Sequence, residues 1–150
     1  MAMLLSSVGC RSAAIQYESV AANVSFDQVQ TLPVREATVR VSYGDAPTQF
    51  AELWLPTDQE EKSPVLVLVH GGCWLNSFGI DHTKAMSTAL MQSGFAVWNL
   101  EYRRLGDEGG GWPGSFEDIQ AGIVRLTELD SDLVGGADLL QSQMLDLLQG

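Results

Sequence analysis

The stretch Pro64-Val-Leu-Val-Leu-Val-His-Gly-Gly-Cys-Trp74 decides the fold of this chain. Its five consecutive aliphatic residues, Val65 to Val69, predict a strand that is buried on both faces, because a half-exposed strand would alternate apolar and polar residues. Such strands belong to parallel sheets. Gly71 and Gly72 follow, and they allow backbone N–H groups to turn toward a space that side chains would otherwise fill. Ligands of open α/β sheets bind at this strand end, so the stretch predicts backbone donors that stabilise an oxyanion.

The segment before this strand predicts an antiparallel hairpin. Apolar residues alternate with polar ones at Ala37, Val39, Val41 and Tyr43. This is the period of a half-exposed strand. Gly44-Asp-Ala-Pro47 is typical of a turn, and Phe50 to Leu55 continue as a return strand that Pro56 ends. Strands joined by so short a turn pair antiparallel.

The segment after the strand predicts a parallel strand–helix–strand unit. Asp81 is expected to cap a helix that Gly94 ends, with an apolar face at Ala85, Met86, Ala89 and Leu90. Phe95 to Leu100 then form a second buried strand, and a connection of this length implies a right-handed crossover.

A second helix is predicted beyond a glycine-rich loop. Gly109 to Gly111 read as a flexible loop over the same end of the sheet as the Gly71-Gly72 turn. Ser115 and Asp118 have the spacing of a capping box. Apolar residues follow at helical intervals, at Ile119, Ile123, Leu126 and Leu129.

Three motifs together resemble the α/β-hydrolase carboxylesterases that carry an H-G-G-x-W loop. They are the central stretch, Phe95-Ala-Val-Trp-Asn-Leu-Glu-Tyr-Arg-Arg104 and Gly109-Gly-Gly-Trp-Pro-Gly-Ser-Phe-Glu-Asp118. Bacterial esterase/lipase domains and kynurenine formamidase-like hydrolases share them, and the resemblance covers roughly residues 35–129. It implies a three-layer α/β fold, in which the hairpin and the parallel unit form the N-terminal half of an α/β-hydrolase sheet.

The resemblance also implies the site residues. The loop would supply oxyanion-hole N–H groups, here those of Gly71, Gly72 and Cys73, and His70 would have a structural place beside them. Aromatic residues expected at the pocket are Trp74, Tyr102 and Trp112. They favour an apolar or aromatic group in a small ester or aryl formamide substrate, although aromatic residues beside a core strand also serve packing.

The catalytic nucleophile of these hydrolases is not found. It sits on a G-x-S-x-G turn after the fifth strand, and the 150 residues contain no such pentapeptide. Ser115 is expected to serve a helix start, and neither Cys73 nor His70 has an identifiable catalytic partner.

Three hypotheses therefore remain open. The chain is a serine-hydrolase fragment, a catalytically silent binding fragment, or a half-enzyme that another polypeptide completes. In the fold that the sequence resembles, the strand Val65 to Val69 lies between the strand Phe95 to Leu100 and the missing fifth strand. The fragment would leave that edge unpaired, which predicts self-association unless the leucine-rich segment Leu139 to Leu148 covers it.

Composition excludes other classes of function. The net charge is −11 and the pI about 4.3, which disfavours nucleic-acid binding. The two cysteines and two histidines form no ligand pattern, so neither a metal nor a cofactor is predicted. No apolar run reaches the ~18 residues that a membrane span requires.

The N-terminal 33 residues are predicted to be a lead-in to a partial hydrolase domain at 34–150. Ser7-Val-Gly-Cys10 resembles a weak lipobox, but the basic region of a signal peptide is missing before it. Two localisations stay open: a cytoplasmic protein with a frayed terminus, or a periplasmic, lipid-anchored one if the true start lies upstream of Met1.

Overall fold

One mixed sheet carries the fold. In the computed structural model of the chain, the structure describes residues 13–19, 23–57 and 63–129. The strands are β1 (Val39–Ser42), β2 (Phe50–Trp54), β3 (Val65–Val69) and β4 (Ala96–Leu100). The helices are α1 (Phe26–Gln30), α2 (Lys84–Gln92) and α3 (Gly114–Thr127), and a 3₁₀ helix, Ile80–Thr83, precedes α2.

The strands pair as the sequence predicts. The hairpin of β1 and β2 is antiparallel, with Val41 opposite Ala51. β3 and β4 are parallel, with Val67 opposite Trp98. The spatial order is β1-β2-β4-β3, in which β2 joins the hairpin to the parallel pair by running antiparallel to β4. The predicted hairpin and strand–helix–strand unit are therefore confirmed as parts of one sheet.

The most buried strand is β4 rather than β3. All five residues of β4 are buried, whereas β3 is half-buried and Val69 is 38% exposed. The prediction that β3 is buried on both faces was wrong for the described part of the chain. There β3 lies at the edge of the sheet, where fewer neighbours cover its side chains.

Helices cover both faces of the sheet. On one face the Trp98 indole N–H donates to the carbonyl of Gly122 in α3, at 3.0 Å. A Cβ on Gly122 would lie 2.2 Å from Cδ2 of Leu100, so the Leu100 side chain packs directly against the backbone of α3. On the other face the Asn99 amide donates to the hydroxyls of Thr83 and Ser87, at 2.9 and 3.1 Å. Because alternate strand residues point to opposite faces, this confirms the predicted three-layer α/β architecture.

Both predicted helix starts differ from the observed ones. Asp81 lies inside the 3₁₀ helix, where its carboxylate is 2.8 Å from Lys84 Nζ. Helix α3 begins at Gly114, so Ser115 and Asp118 are helical residues rather than a capping box. The reason is that these side chains bond elsewhere: the Ser115 hydroxyl donates to the Arg103 carbonyl at 2.5 Å, and Asp118 binds Arg103.

The segments around the sheet are held by specific contacts. Phe26 packs edge-on against Phe78, with ring centroids 5.4 Å apart. The predicted flexible loop at Gly109 to Gly111 is fastened by hydrogen bonds from Gly110 N to Asp107 O and from Ser115 N to Gly111 O. The predictions for Cys10 and for Leu139 to Leu148 lie outside the described residues. Within the described ranges no helix has the length and hydropathy of a membrane span.

A buried ion pair fastens α3 to the end of β4. The Asp118 carboxylate is 1% exposed. It accepts hydrogen bonds from Arg103 N, Nε and Nη2 and from Gln49 Nε2, at 2.7 to 2.9 Å. Burial opposes ionisation of Asp118, but these hydrogen bonds outweigh it and hold its pKa below the ordinary value.

We expect Asp118→Asn to lower the free energy of unfolding by about 3 kcal/mol near neutral pH, the low end for breaking a buried ion pair. Urea unfolding followed by tryptophan fluorescence measures it. The control is Glu128→Gln, which removes the exposed pair with Arg125 and should cost less than about 1 kcal/mol.

The same variants give a pH test. The folded-state pKa of Asp118 is lowered. The ionised carboxylate therefore contributes fully to the free energy of unfolding above the unfolded-state pKa of about 3.9, and this contribution is lost as the pH falls through the folded-state pKa. The stability gap between wild type and Asp118→Asn should therefore narrow in acid. A gap that stays constant down to the acid unfolding limit would show that the carboxylate charge is not the cause.

Candidate functional site

The loop from His70 to Gly79, which follows β3, has an unusual backbone. Three consecutive residues lie in the left-handed region: Gly72 at φ 133°, Cys73 at φ 54° and Trp74 at φ 62°. Glycine adopts such angles readily, but each residue with a Cβ incurs about 1–2 kcal/mol. Backbone strain of this kind persists only where surrounding contacts impose it, and it concentrates at functional sites.

The far half of the loop is paired with the segment after β4. Leu105 N donates to Trp74 O at 2.8 Å, and Asn76 N donates to Leu105 O at 3.2 Å. The near half closes in a turn, with Leu75 N donating to Gly72 O at 3.0 Å. These bonds use the carbonyl groups of the turn and leave its N–H groups for another acceptor.

The three predicted donors lie in that turn. Within the described part of the chain, the N–H groups of Gly71, Gly72 and Cys73 donate no hydrogen bond. They follow the carboxyl end of β3, where ligands of α/β sheets bind. Successive N–H groups in such a turn form a concave partial positive charge that attracts anionic oxygen.

His70 lies beneath the loop and is 2% exposed. Its ring stacks on the Tyr102 ring at 4.5 Å, and the Tyr102 hydroxyl donates to the His70 carbonyl at 2.8 Å. Its Nε2 is 2.7 Å from Glu101 Oε1. Burial opposes ionisation of Glu101, but hydrogen bonds from the His70 ring and from the backbone N–H groups of Ile80 and Tyr102 lower its pKa below the ordinary value.

An aromatic groove adjoins the loop. Its volume is about 270 Å³, and it is lined by Cys73, Trp74, Leu105, Gly111, Trp112, Ser115 and Phe116. The Phe116 ring lies between the two indoles, with centroids 5.0 Å from Trp74 and 5.0 Å from Trp112. Trp112 is 81% exposed, so most of its surface is available to a ligand.

The structure distributes the predicted site residues over three positions. Gly71, Gly72 and Cys73 form the turn, while Trp74 and Trp112 share the groove. Tyr102 does not line the groove: it is 2% exposed and supports His70 from below. Ser115 lines the groove with a 1% exposed surface, and its hydroxyl proton is held by Arg103 O. This hydrogen bond gives Ser115 a structural role.

Sequence reasoning missed the residues that hold the loop. Glu101 binds His70, and Arg104 donates to the Phe78 carbonyl and pairs with Asp107 at 3.1 Å. Leu105 and Phe116 complete the groove. One signal for Glu101 and Arg104 was present, since charged residues directly after a strand that is apolar except for Asn99 must find partners if they are buried.

A metal site is not visible in the described ranges. No group of three or more His, Cys, Asp or Glu side chains there is arranged to hold a metal ion. Cys73 is a free, exposed thiol.

Comparison with known proteins identifies the family. The BD-FAE family model matches residues 51–131, more than half of the chain. The chain belongs to the BD-FAE family. Esterase LipC of Mycobacterium tuberculosis (strain ATCC 25618 / H37Rv) is 31% identical over 86 residues, which cover 57% of this chain and 21% of that protein.

The fold agrees with this assignment. The crystal structure of esterase B from Lactobacillus rhamnosis (HN001) superposes with a TM-score of 0.59 at 21% identity, covering 72% of this chain and 36% of that one. The chain thus spans about a fifth of esterase LipC and just over a third of esterase B. The predicted resemblance to α/β-hydrolase esterases is confirmed at the level of family and fold.

We expect Gly72→Ala to destabilise the chain by about 1–3 kcal/mol, the range for a strained backbone position. The new Cβ would lie 2.5 Å from Phe78 Cβ at a φ of 133°. Gly71→Ala is the matched control, because no atom lies within 4 Å of its added Cβ. Urea unfolding of both variants is the measurement, and equal losses would contradict the difference in packing.

Proposed function

We propose that the His70–Gly79 loop is the oxyanion-binding part of an active site that hydrolyses small carboxylic esters or aryl formamides. The observation that carries the proposal is the run of left-handed residues after β3, in which three successive N–H groups have no acceptor among the described residues. Membership of the BD-FAE family and similarity to esterase LipC support an ester hydrolase.

The proposed chemistry follows from where negative charge develops. When a nucleophile attacks the acyl carbon, the carbonyl π electrons move to the oxygen and a tetrahedral oxyanion forms. The N–H groups of Gly71, Gly72 and Cys73 would stabilise that oxygen at hydrogen-bond distance. The bonds strengthen in the transition state because the charge appears there. In this proposal the nucleophilic serine and its histidine are supplied from outside these 150 residues, whose two histidines are His70 and His82.

The groove suggests the kind of substrate. It begins at Cys73 and continues over Trp74, Phe116 and Trp112, so a group attached to the bound carbonyl would lie on aromatic rings. Flat or apolar groups bury most surface against such rings. The proposal therefore favours esters with an apolar or aromatic acyl or alcohol part.

The kinetic test uses residues 1–129 joined to the C-terminal half of an active BD-FAE family enzyme. We expect Gly72→Pro, which removes one N–H donor and distorts the turn at its φ of 133°, to lower kcat by about 100-fold or more, the scale for one lost oxyanion donor. The Michaelis constant should change much less. Hydrolysis of p-nitrophenyl esters measures both constants.

Trp112→Ala is the contrasting variant in that experiment. It removes groove surface but no oxyanion donor, so its effect should fall mainly on KM. If Gly72→Pro changes only KM while kcat stays intact, the loop is a substrate clamp and the oxyanion assignment fails.

A second candidate function rests on the edge of β3. In the described part of the chain β3 pairs with β4 alone, and its outer edge consists of valine and leucine. Such an edge accepts another strand by backbone hydrogen bonding. The chain would then be an interaction module, or a half-enzyme that a second polypeptide completes.

Sedimentation of the purified 150-residue chain tests this second candidate. We expect a concentration-dependent dimer that Val69→Lys weakens, because Val69 is the exposed last residue of β3 and an edge lysine opposes strand addition. Exposed Val124 on α3 gives the control, Val124→Lys. A wild-type chain that remains monomeric at high concentration would rule the edge contact out.

A further inference from the structure

Glu101 joins the two ends of the His70–Gly79 loop. Its carboxylate is buried and accepts from His70 Nε2 at 2.7 Å, where the loop begins. It also accepts from Ile80 N at 2.9 Å, where the loop ends. Arg104 Nη1 lies 3.4 Å from Glu101 Oε1 and offsets the buried negative charge of the carboxylate. One side chain directly after β4 thus contacts both ends of the loop.

The second ring nitrogen of His70 continues the connection. His70 Nδ1 is 2.9 Å from the carbonyl oxygen of Gly71. A carbonyl oxygen only accepts hydrogen bonds, so Nδ1 is the donor in this contact. The Glu101 carboxylate likewise accepts from Nε2. The ring orientation is therefore set at both nitrogens, and stacking on Tyr102 fixes its plane.

The peptide bond transmits this constraint to Gly72. The Gly71 carbonyl and the Gly72 N–H belong to one planar trans peptide unit, in which they point in opposite directions. A hydrogen bond that fixes the carbonyl oxygen therefore fixes the direction of the N–H. Without it, a peptide between two glycines has little to prevent it from rotating.

We propose that Glu101 and His70 are positioning residues that aim the Gly72 N–H through the Gly71 carbonyl. The relevance of this aim to catalysis rests on the proposed function, in which Gly72 is an oxyanion donor. The geometric claim stands independently of it. Preorganised donors are effective because they do not reorient during the reaction, and this relay supplies the preorganisation for one of them.

The test measures the Gly72 N–H directly, by NMR of the ¹⁵N-labelled 150-residue chain. In the wild type we expect a rigid Gly72 amide with an order parameter of about 0.85. Glu101→Gln, which removes the charge and offers Ile80 N and His70 one acceptor instead of two, should lower the Gly72 order parameter below about 0.6. Its N–H residual dipolar coupling should change as well.

His70→Phe provides the second variant, because it keeps an aromatic ring against Tyr102 but removes both ring donors. It should lower the Gly72 order parameter as Glu101→Gln does. The double variant should lower that order parameter no further than either single variant, because all three variants break the same chain of hydrogen bonds. The matched control is Asp107→Asn, which changes another carboxylate that holds the loop through Asn76 and Arg104. It should leave Gly72 rigid.

Two outcomes would overturn the relay. One is an unchanged Gly72 order parameter and dipolar coupling in folded Glu101→Gln and His70→Phe. The other is an equal loss in Asp107→Asn, which would show that any weakening of the loop is felt at Gly72. No substrate is used, so a failure of the relay is separate from a failure of the oxyanion assignment, which the Gly72→Pro kinetics decide.

Discussion

The parallel register between β3 and β4 is the constraint on which the site depends. Val69 stands opposite Leu100 at the ends of the two strands. The next residue on each strand is therefore placed beside its counterpart, and these residues are His70 and Glu101. Their 2.7 Å hydrogen bond extends the ladder by side chains where the backbone pairing ends. A shift of one residue would separate the histidine from the carboxylate and leave a buried charge without its main partner.

Two arginines directly after β4 form ion pairs on the two sides of the sheet end. Arg103 reaches Asp118 in α3, and Arg104 reaches Asp107 and the loop carbonyl of Phe78. Each pair is bonded more than once, which is how buried ionic groups recover their lost hydration. Loop, strand and helix α3 are thereby tied at one corner, beside the groove. The surroundings impose the left-handed backbone of Cys73 and Trp74, whose own conformational preferences oppose it.

Local periodicity was sufficient to predict the strands and their pairing. Alternation at Val39 and Val41 and the apolar run at Val65 to Val69 both marked strands that the structure contains. The helix starts were not predictable in the same way. Asp81 and Ser115 are good capping residues by type, but Asp81 lies inside the 3₁₀ helix and pairs with the Lys84 side chain, and Ser115 donates to the Arg103 carbonyl. Burial of β3 was also overestimated, because an apolar run does not show how few neighbours cover the side chains of a strand at a sheet edge. The link from Glu101 to His70 crosses 31 positions and leaves no local pattern.

The width of the groove depends on the contact between α3 and β4 at Gly122, a residue that does not line the groove. The Leu100 side chain of β4 packs against the backbone of α3 at Gly122, where a Cβ would lie 2.2 Å from Leu100 Cδ2. Phe116, which forms the middle of the groove, lies in the first turn of the same helix, nearly two turns before Gly122. A bulkier residue at position 122 would push α3 away from β4. Because α3 moves as a rigid helix, Phe116 would then move away from Trp74. A substitution at Gly122, inside the core, would thus change the width of the groove without changing any residue that lines it.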